Sequence, residues 1–196
     1  DRIPTGVAAL PGVIEGLQKR VGVISYACMT TSIFQPLGWQ KSLETFTKGT
    51  PFLPAGETMI CALRQVNARK IGIFSPWLEE ISSRVPDWFA QFDIEVVRNV
   101  NIPFTRDEVT VHDVEEFYSH IIKEFRSQKI DALGIMGTDW GTFSIINPLE
   151  RDLGVPVISS NLALLWCMLG VLGIRDNIGV GQLFDFDTPV EVPSLG

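Results

Sequence analysis

In ISYACMTTSI, residues 24–33, three strand-forming residues run into Cys28, and Cys28 is followed closely by Thr30, Thr31 and Ser32. A thiol that closes a strand and precedes a loop feeding a helix feels the positive end of the helix dipole. That lowers its pKa and favours the thiolate, the reactive form. The hydroxyls and backbone N–H groups just after it can cradle a carboxylate in the same place. A second loop, Gly137-Thr138-Asp139, offers another set of N–H and hydroxyl donors, and Gly137 lets the backbone come close to a ligand. Two facing cradles suit a small dicarboxylate, or a monocarboxylate that gains a second negative charge in the transition state. A plainer reading makes Cys28 a small buried apolar residue, the usual fate of free cysteine. The residues alone leave both open.

The elements that must position these loops are short, β-branched runs separated by helical patterns, the signature of parallel sheets with crossover helices. Strands are expected at 21–27, 68–75, 94–100, 130–136 and 155–160. Helices are expected at 11–20, 40–48, 55–66, 78–92, 111–128, 142–153 and 161–172. In 111–128, Val111, Val114, Phe117, Tyr118, Ile121, Ile122 and Phe125 recur at helical spacing. An internal repeat sets ISYACMTTSIFQP, a helix, GTP and a second helix against GIMGTDWGTFSIINP, a helix, GVP and a second helix. Superposing the strand ends sets Cys28 against Gly137, Met29 against Thr138 and Thr30 against Asp139. The fold class expected is α/β, with two pseudo-symmetric lobes, each a parallel sheet flanked by helices. The lobes are drawn at 1–66 plus 173–196 and at 67–172. Ligands of open α/β sheets lie at the carboxyl ends of the strands, so Cys28 and Gly137 should face each other across the crevice.

Bulk properties narrow the classes. The chain has 196 residues, is 45% hydrophobic and 20% charged, and reads as globular. A net charge of -7 argues against a nucleic-acid backbone as partner. The longest apolar run, 162–174, is short and broken by glycine, so no membrane partner is expected. Three cysteines at no metal-ligand spacing point to reduced thiols and a cytoplasmic location, and with only His112 and His120 no metal site is expected. DEVTVHDVEEF, 107–117, reads as a solvated helix face.

Several residues carry two readings. Asp139 is an N-cap for the helix after it, or a second acid/base whose pKa a bound carboxylate raises. Asn161 hydrogen-bonds a substrate, or Ser160 or Asn161 merely caps the following helix. Cys61 and Cys167 sit in apolar helices and read as core.

SYAC at 25–28, the second loop, RDLGVPVISSN at 151–161, ALLW at 163–166 and GVGQLFD at 179–185 resemble the aspartate/glutamate racemase superfamily. The nearest branches are maleate cis-trans isomerase and arylmalonate decarboxylase, and the similarity spans almost the whole chain. The resemblance implies a site without cofactor or metal, between two lobes. There, one or two cysteines add to, deprotonate or protonate a carbon next to a carboxylate. By position Cys28 matches the first-lobe cysteine, while the second-lobe cysteine falls at Gly137. The family's tyrosine after the third strand falls at Trp77, and Met29 leaves Thr30 to serve as the hydroxyl ligand. A strand that opens the family's fold has no counterpart here. One thiol suits decarboxylation of a malonate-type acid, with Cys28 protonating the enediolate from the face opposite to the usual decarboxylase. The alternatives are a maleate-type isomerase or racemase, with Asp139 in place of the second thiol, and an inactive carboxylate-binding protein. Thr30, Thr31, Trp77, Gly137, Thr138 and Asn161 are the expected substrate contacts, and a homodimer is compatible with this reading.

Overall fold

A computed structural model describes residues 2–103 and 114–189. Two parallel sheets organise the chain. β1 (Ile24–Tyr26) pairs with β2 (Phe52–Pro54), and β4 (Glu95–Asn101), β3 (Lys70–Ser75), β5 (Ala132–Ile135) and β6 (Val157–Ser159) form a second sheet in the order β4-β3-β5-β6. β3 and β5 lie inside the second sheet and are buried almost end to end, as the apolar runs Ile71–Phe74 and Ala132–Ile135 require.

The expected repeat appears in the strand pairing. Ile24 stands opposite Phe52 in the first sheet, and Leu133 stands opposite Val157 in the second. The Ile24 N–H donates to the Pro51 carbonyl at 2.9 Å, and the Leu133 N–H donates to the Pro156 carbonyl at 2.9 Å. Each pair therefore has one register about its own proline. After these strands come α4 (Ala55–Gln65) and α9 (Ser160–Val171), which pack on each other.

The remaining helices are α1 (Arg2–Leu17), α2 (Met29–Phe34), α3 (Glu44–Thr47), α5 (Glu79–Ser82), α6 (Val85–Ala90), α7 (Val114–Phe125) and α8 (Phe143–Leu153). Single helical turns of the 3-10 type span Trp39–Leu43 and Gln182–Asp185. The large core gathers around β3, β5 and β6 with Met59, Leu63, Phe89, Phe125 and Trp166. A smaller one forms between α1 and the first sheet from Leu10, Ile14, Ile24 and Leu43.

The structure departs from expectation at several boundaries. β2 is new, because a three-residue strand ending in proline carries no alternation to read. The helix expected at 78–92 is two short helices, and α1 begins well before Pro11 and runs through it. Residues 104–113, with Val111, His112 and most of DEVTVHDVEEF, lie outside the described residues. Among the described residues no helix is long and apolar enough to cross a membrane.

Candidate active site

Cys28 lies two residues beyond β1, as the residue that precedes α2, with an extended backbone at φ -145 and ψ 95. Extended geometry lets Tyr26 and Cys28 project to the same side, and both turn toward Thr31. The Thr31 hydroxyl, fully buried, donates to the Cys28 sulfur at 3.2 Å. The Thr30 hydroxyl lies 3.2 Å from the same sulfur, and the Tyr26 hydroxyl 3.1 Å from Thr31 Oγ1. Cys28 itself is half-buried.

Burial alone would push this thiol up. The hydroxyls of Thr30 and Thr31, with smaller help from the Thr31 backbone N–H and the Tyr26 hydroxyl, outweigh it and hold Cys28 below the ordinary thiol range. Cys28 makes no side-chain cap bond at the start of α2. With α2 only six residues long, side-chain hydroxyls take most of the part that the sequence assigned to a helix dipole. Tyr26 was not anticipated as a partner, although strand alternation and a spacing of two residues from Cys28 could have found it.

The second loop follows β5 at the same spacing. Gly137 has φ +105, a conformation that side chains bearing Cβ rarely adopt. A Cβ there would also sit 3.0 and 3.1 Å from two carbons of the Pro76 ring. The backbone at this position therefore suits glycine and opposes a thiol. Thr138 reaches across to the other loop, its hydroxyl donating to the Ala27 carbonyl at 2.7 Å. The two loops thus touch at the residue beside Cys28. The Asn161 amide, from the first turn of α9, donates to the carbonyls of Thr138 at 3.1 Å and Trp140 at 3.0 Å, pinning the loop from below.

Two expected caps fall elsewhere. Thr142, not Asp139, precedes α8, because the loop runs through a turn before the helix starts. Asp139 is exposed on that turn. The α9 cap is Ser159, whose hydroxyl accepts from the Leu162 N–H at 3.1 Å, leaving Asn161 for the loop. Trp77 is half-buried on the loop after β3, next to the Pro76 ring that closes over Gly137, and its carbonyl accepts from the Asn101 amide at 3.3 Å.

A thiol at one strand end, beside a backbone carbonyl held by a glycine loop from the matching end of a second sheet, defines a two-sheet α/β protein with its candidate chemistry at paired strand ends. The chain belongs to the arylmalonate decarboxylase family, whose sequence model matches residues 15–184. It is 21% identical over 175 residues to the maleate isomerase of Alcaligenes faecalis, covering 84% of this chain and 69% of that protein. A liganded arylmalonate decarboxylase mutant, with one glycine changed to cysteine and one cysteine to serine, superposes with a TM-score of 0.85 at 19% identity. The match covers 93% of this chain and 81% of that one. A mutant of Nocardia farcinica maleate cis-trans isomerase with a covalently bound succinylcysteine intermediate superposes with a TM-score of 0.77 at 19% identity, covering 92% and 80%. At such identities the superpositions establish the fold.

Proposed function

We propose that this protein is a cofactor-independent lyase that decarboxylates a small malonate-type acid, with Cys28 as the proton donor. The observation that carries the reading is the pairing of one thiol with a glycine where a second thiol would stand. The Thr30 and Thr31 hydroxyls hold the Cys28 sulfur, Tyr26 bonds in turn to Thr31, and Gly137 on the second loop has a backbone that opposes a side chain. The substrate's retained carboxylate lies between the two loops, against Thr30 and the backbone N–H groups of Gly137 and Thr138. Trp77 forms an apolar wall beside them. Thr31 acts through the sulfur, since its hydroxyl is already turned to Cys28 and Tyr26.

In the reaction the bond from the α-carbon to the leaving carboxylate breaks and carbon dioxide departs. The electron pair moves into the retained carboxylate as an enediolate. Cys28 donates its proton to the α-carbon, and solvent reprotonates the sulfur. A thiol pKa drawn toward neutrality makes that transfer easier.

A second reading rests on the same lowered pKa, which also favours a nucleophile. Here Cys28 adds to a maleate-type double bond and Asp139 handles the proton, in keeping with the succinylcysteine adduct of the Nocardia relative. The pH dependence of kcat/KM separates the two. A proton donor loses activity as pH rises through the Cys28 pKa, and a nucleophile gains it. Carbon dioxide release from a malonate, falling above that pKa, supports the lyase. Release that rises through it, or hydration-free interconversion of maleate and fumarate without carbon dioxide, overturns it.

A further inference from the structure

α4 and α9, the helices that follow β2 and β6, carry one cysteine each where they pack together: Cys61 on α4 and Cys167 on α9. The Cys167 sulfur lies 4.0 Å from the Thr58 carbonyl. Thr58 is three residues before Cys61 on the same helix, so both occupy one helical face, and a helical side chain leans back over the preceding turn. Cys61 and Cys167 accordingly meet as hydrogen-bonding thiols. Their surroundings differ. Cys167 is fully buried, whereas Cys61 is half-buried.

The pair is chemically asymmetric. The Cys167 thiol, then burial, then the nearby Arg64 charge act on Cys61, with a net lowering. The contact with Cys61 and burial push Cys167 well up. Cys61, half-buried and drawn down, is therefore the more readily ionised of the two, and Cys167, buried and pushed up, is the partner held against it.

We propose that Cys61 and Cys167 form a site of oxidation by hydroperoxides, closing to an intramolecular disulfide between α4 and α9. The Cys61 thiolate attacks one peroxide oxygen, the O–O bond breaks and hydroxide or alkoxide leaves, so Cys61 becomes a sulfenic acid. The Cys167 sulfur then attacks the Cys61 sulfur and the S–O bond breaks. The departing hydroxide takes the Cys167 proton and leaves as water. Two thiols lose two electrons and the peroxide gains them.

The bond has mechanical reach. At one end α4 holds α2, since the Gly56 N–H donates to Ser32 Oγ at 3.1 Å, and α2 follows Cys28 directly. At the other end α9 holds the second loop through Asn161. A link between the two helices fixes the supports of both loops against each other. None of this rests on which reaction Cys28 performs.

The test is peptide mapping of the full chain after brief exposure to hydrogen peroxide, with and without later dithiothreitol. The expected product is a Cys61–Cys167 linked peptide, two hydrogen masses lighter than its parts, reversed by dithiothreitol and missing from Cys61→Ser. The link should raise the melting temperature by on the order of 10 °C, because it closes a long loop in the unfolded chain. Peroxide-treated protein in which Cys28 carries oxygen while Cys61 and Cys167 stay free thiols would overturn the proposal. So would a disulfide that joins two chains. If Cys61→Ser does not fold, mapping of the wild type alone decides.

Discussion

Thr31→Val removes one hydroxyl and nearly nothing else, which makes it the sharpest probe of what sets the Cys28 thiol. The Thr31 side chain is fully buried and donates to the Cys28 sulfur at 3.2 Å, so valine fills the same volume without the donor. A hydrogen bond to an ionised group contributes about 1.5–3 kcal/mol. The sulfur is half-buried and keeps its contact with Thr30, so the lower end applies. About 1.4 kcal/mol is one pKa unit and a tenfold change. The Cys28 pKa should rise by about one unit, and iodoacetamide should alkylate Cys28 about tenfold more slowly at pH 7. Mapping the labelled peptide assigns the rate to Cys28 rather than to Cys61, and a thermal melt confirms that the fold survives. An unchanged alkylation rate in a folded Thr31→Val protein would refute the claim that hydroxyls, more than burial or the short helix, govern this thiol.

Three further outcomes follow from the same geometry. Gly137→Cys, which would restore a second thiol, should cost about 1–2 kcal/mol in urea unfolding, since φ +105 and the Pro76 ring both oppose a side chain; an equally stable variant would contradict the backbone account. Asp139→Asn should leave decarboxylation within about threefold, whereas an acid/base role predicts a fall of about 10²-fold or more in kcat. Burial pushes the Glu57 carboxyl up to about 7, only partly offset by its own backbone N–H. The neutral form is then favoured in the fold, so stability is full below the ordinary carboxylate range and is lost as pH rises toward 7, by about 3 kcal/mol. Glu57→Gln should flatten that dependence, and parallel profiles for the two proteins in urea unfolding between pH 4 and pH 8 would disprove the assignment.

Much of this fold was legible in the sequence because buried parallel strands leave strong traces. IGIF at 71–74 and ALGIM at 132–136 are unbroken apolar runs, and the GTP and GVP pieces mark two copies of one strand–helix–strand unit. Those prolines now set the register of both pairs. What escaped is what tertiary contact decides. FLP has too few residues to show a period, and α2 looks like a loop because a cysteine and three hydroxyl residues open it. At the candidate site, Cys28 and Gly137 stand out by type and position. The assignments of Thr31 to the sulfur, Thr138 to the Ala27 carbonyl and Asn161 to the loop depend on side-chain direction. Spacing does not encode that direction. Asp139 shows the limit from the other side, since the helix starts at Phe143 and Thr142, not Asp139, is the residue that precedes it.

Delivery of a proton to carbon by the Cys28 sulfur is tested most directly by turning over an aryl-substituted malonate in heavy water and resolving the product on a chiral column. The prediction is one deuteron at the α-carbon, a single enantiomer of handedness opposite to the product of the usual decarboxylase, and a fall of about 10²–10⁴-fold in kcat/KM for Cys28→Ser. Racemic acid, the same enantiomer as that enzyme makes, or full turnover by the serine variant would contradict it.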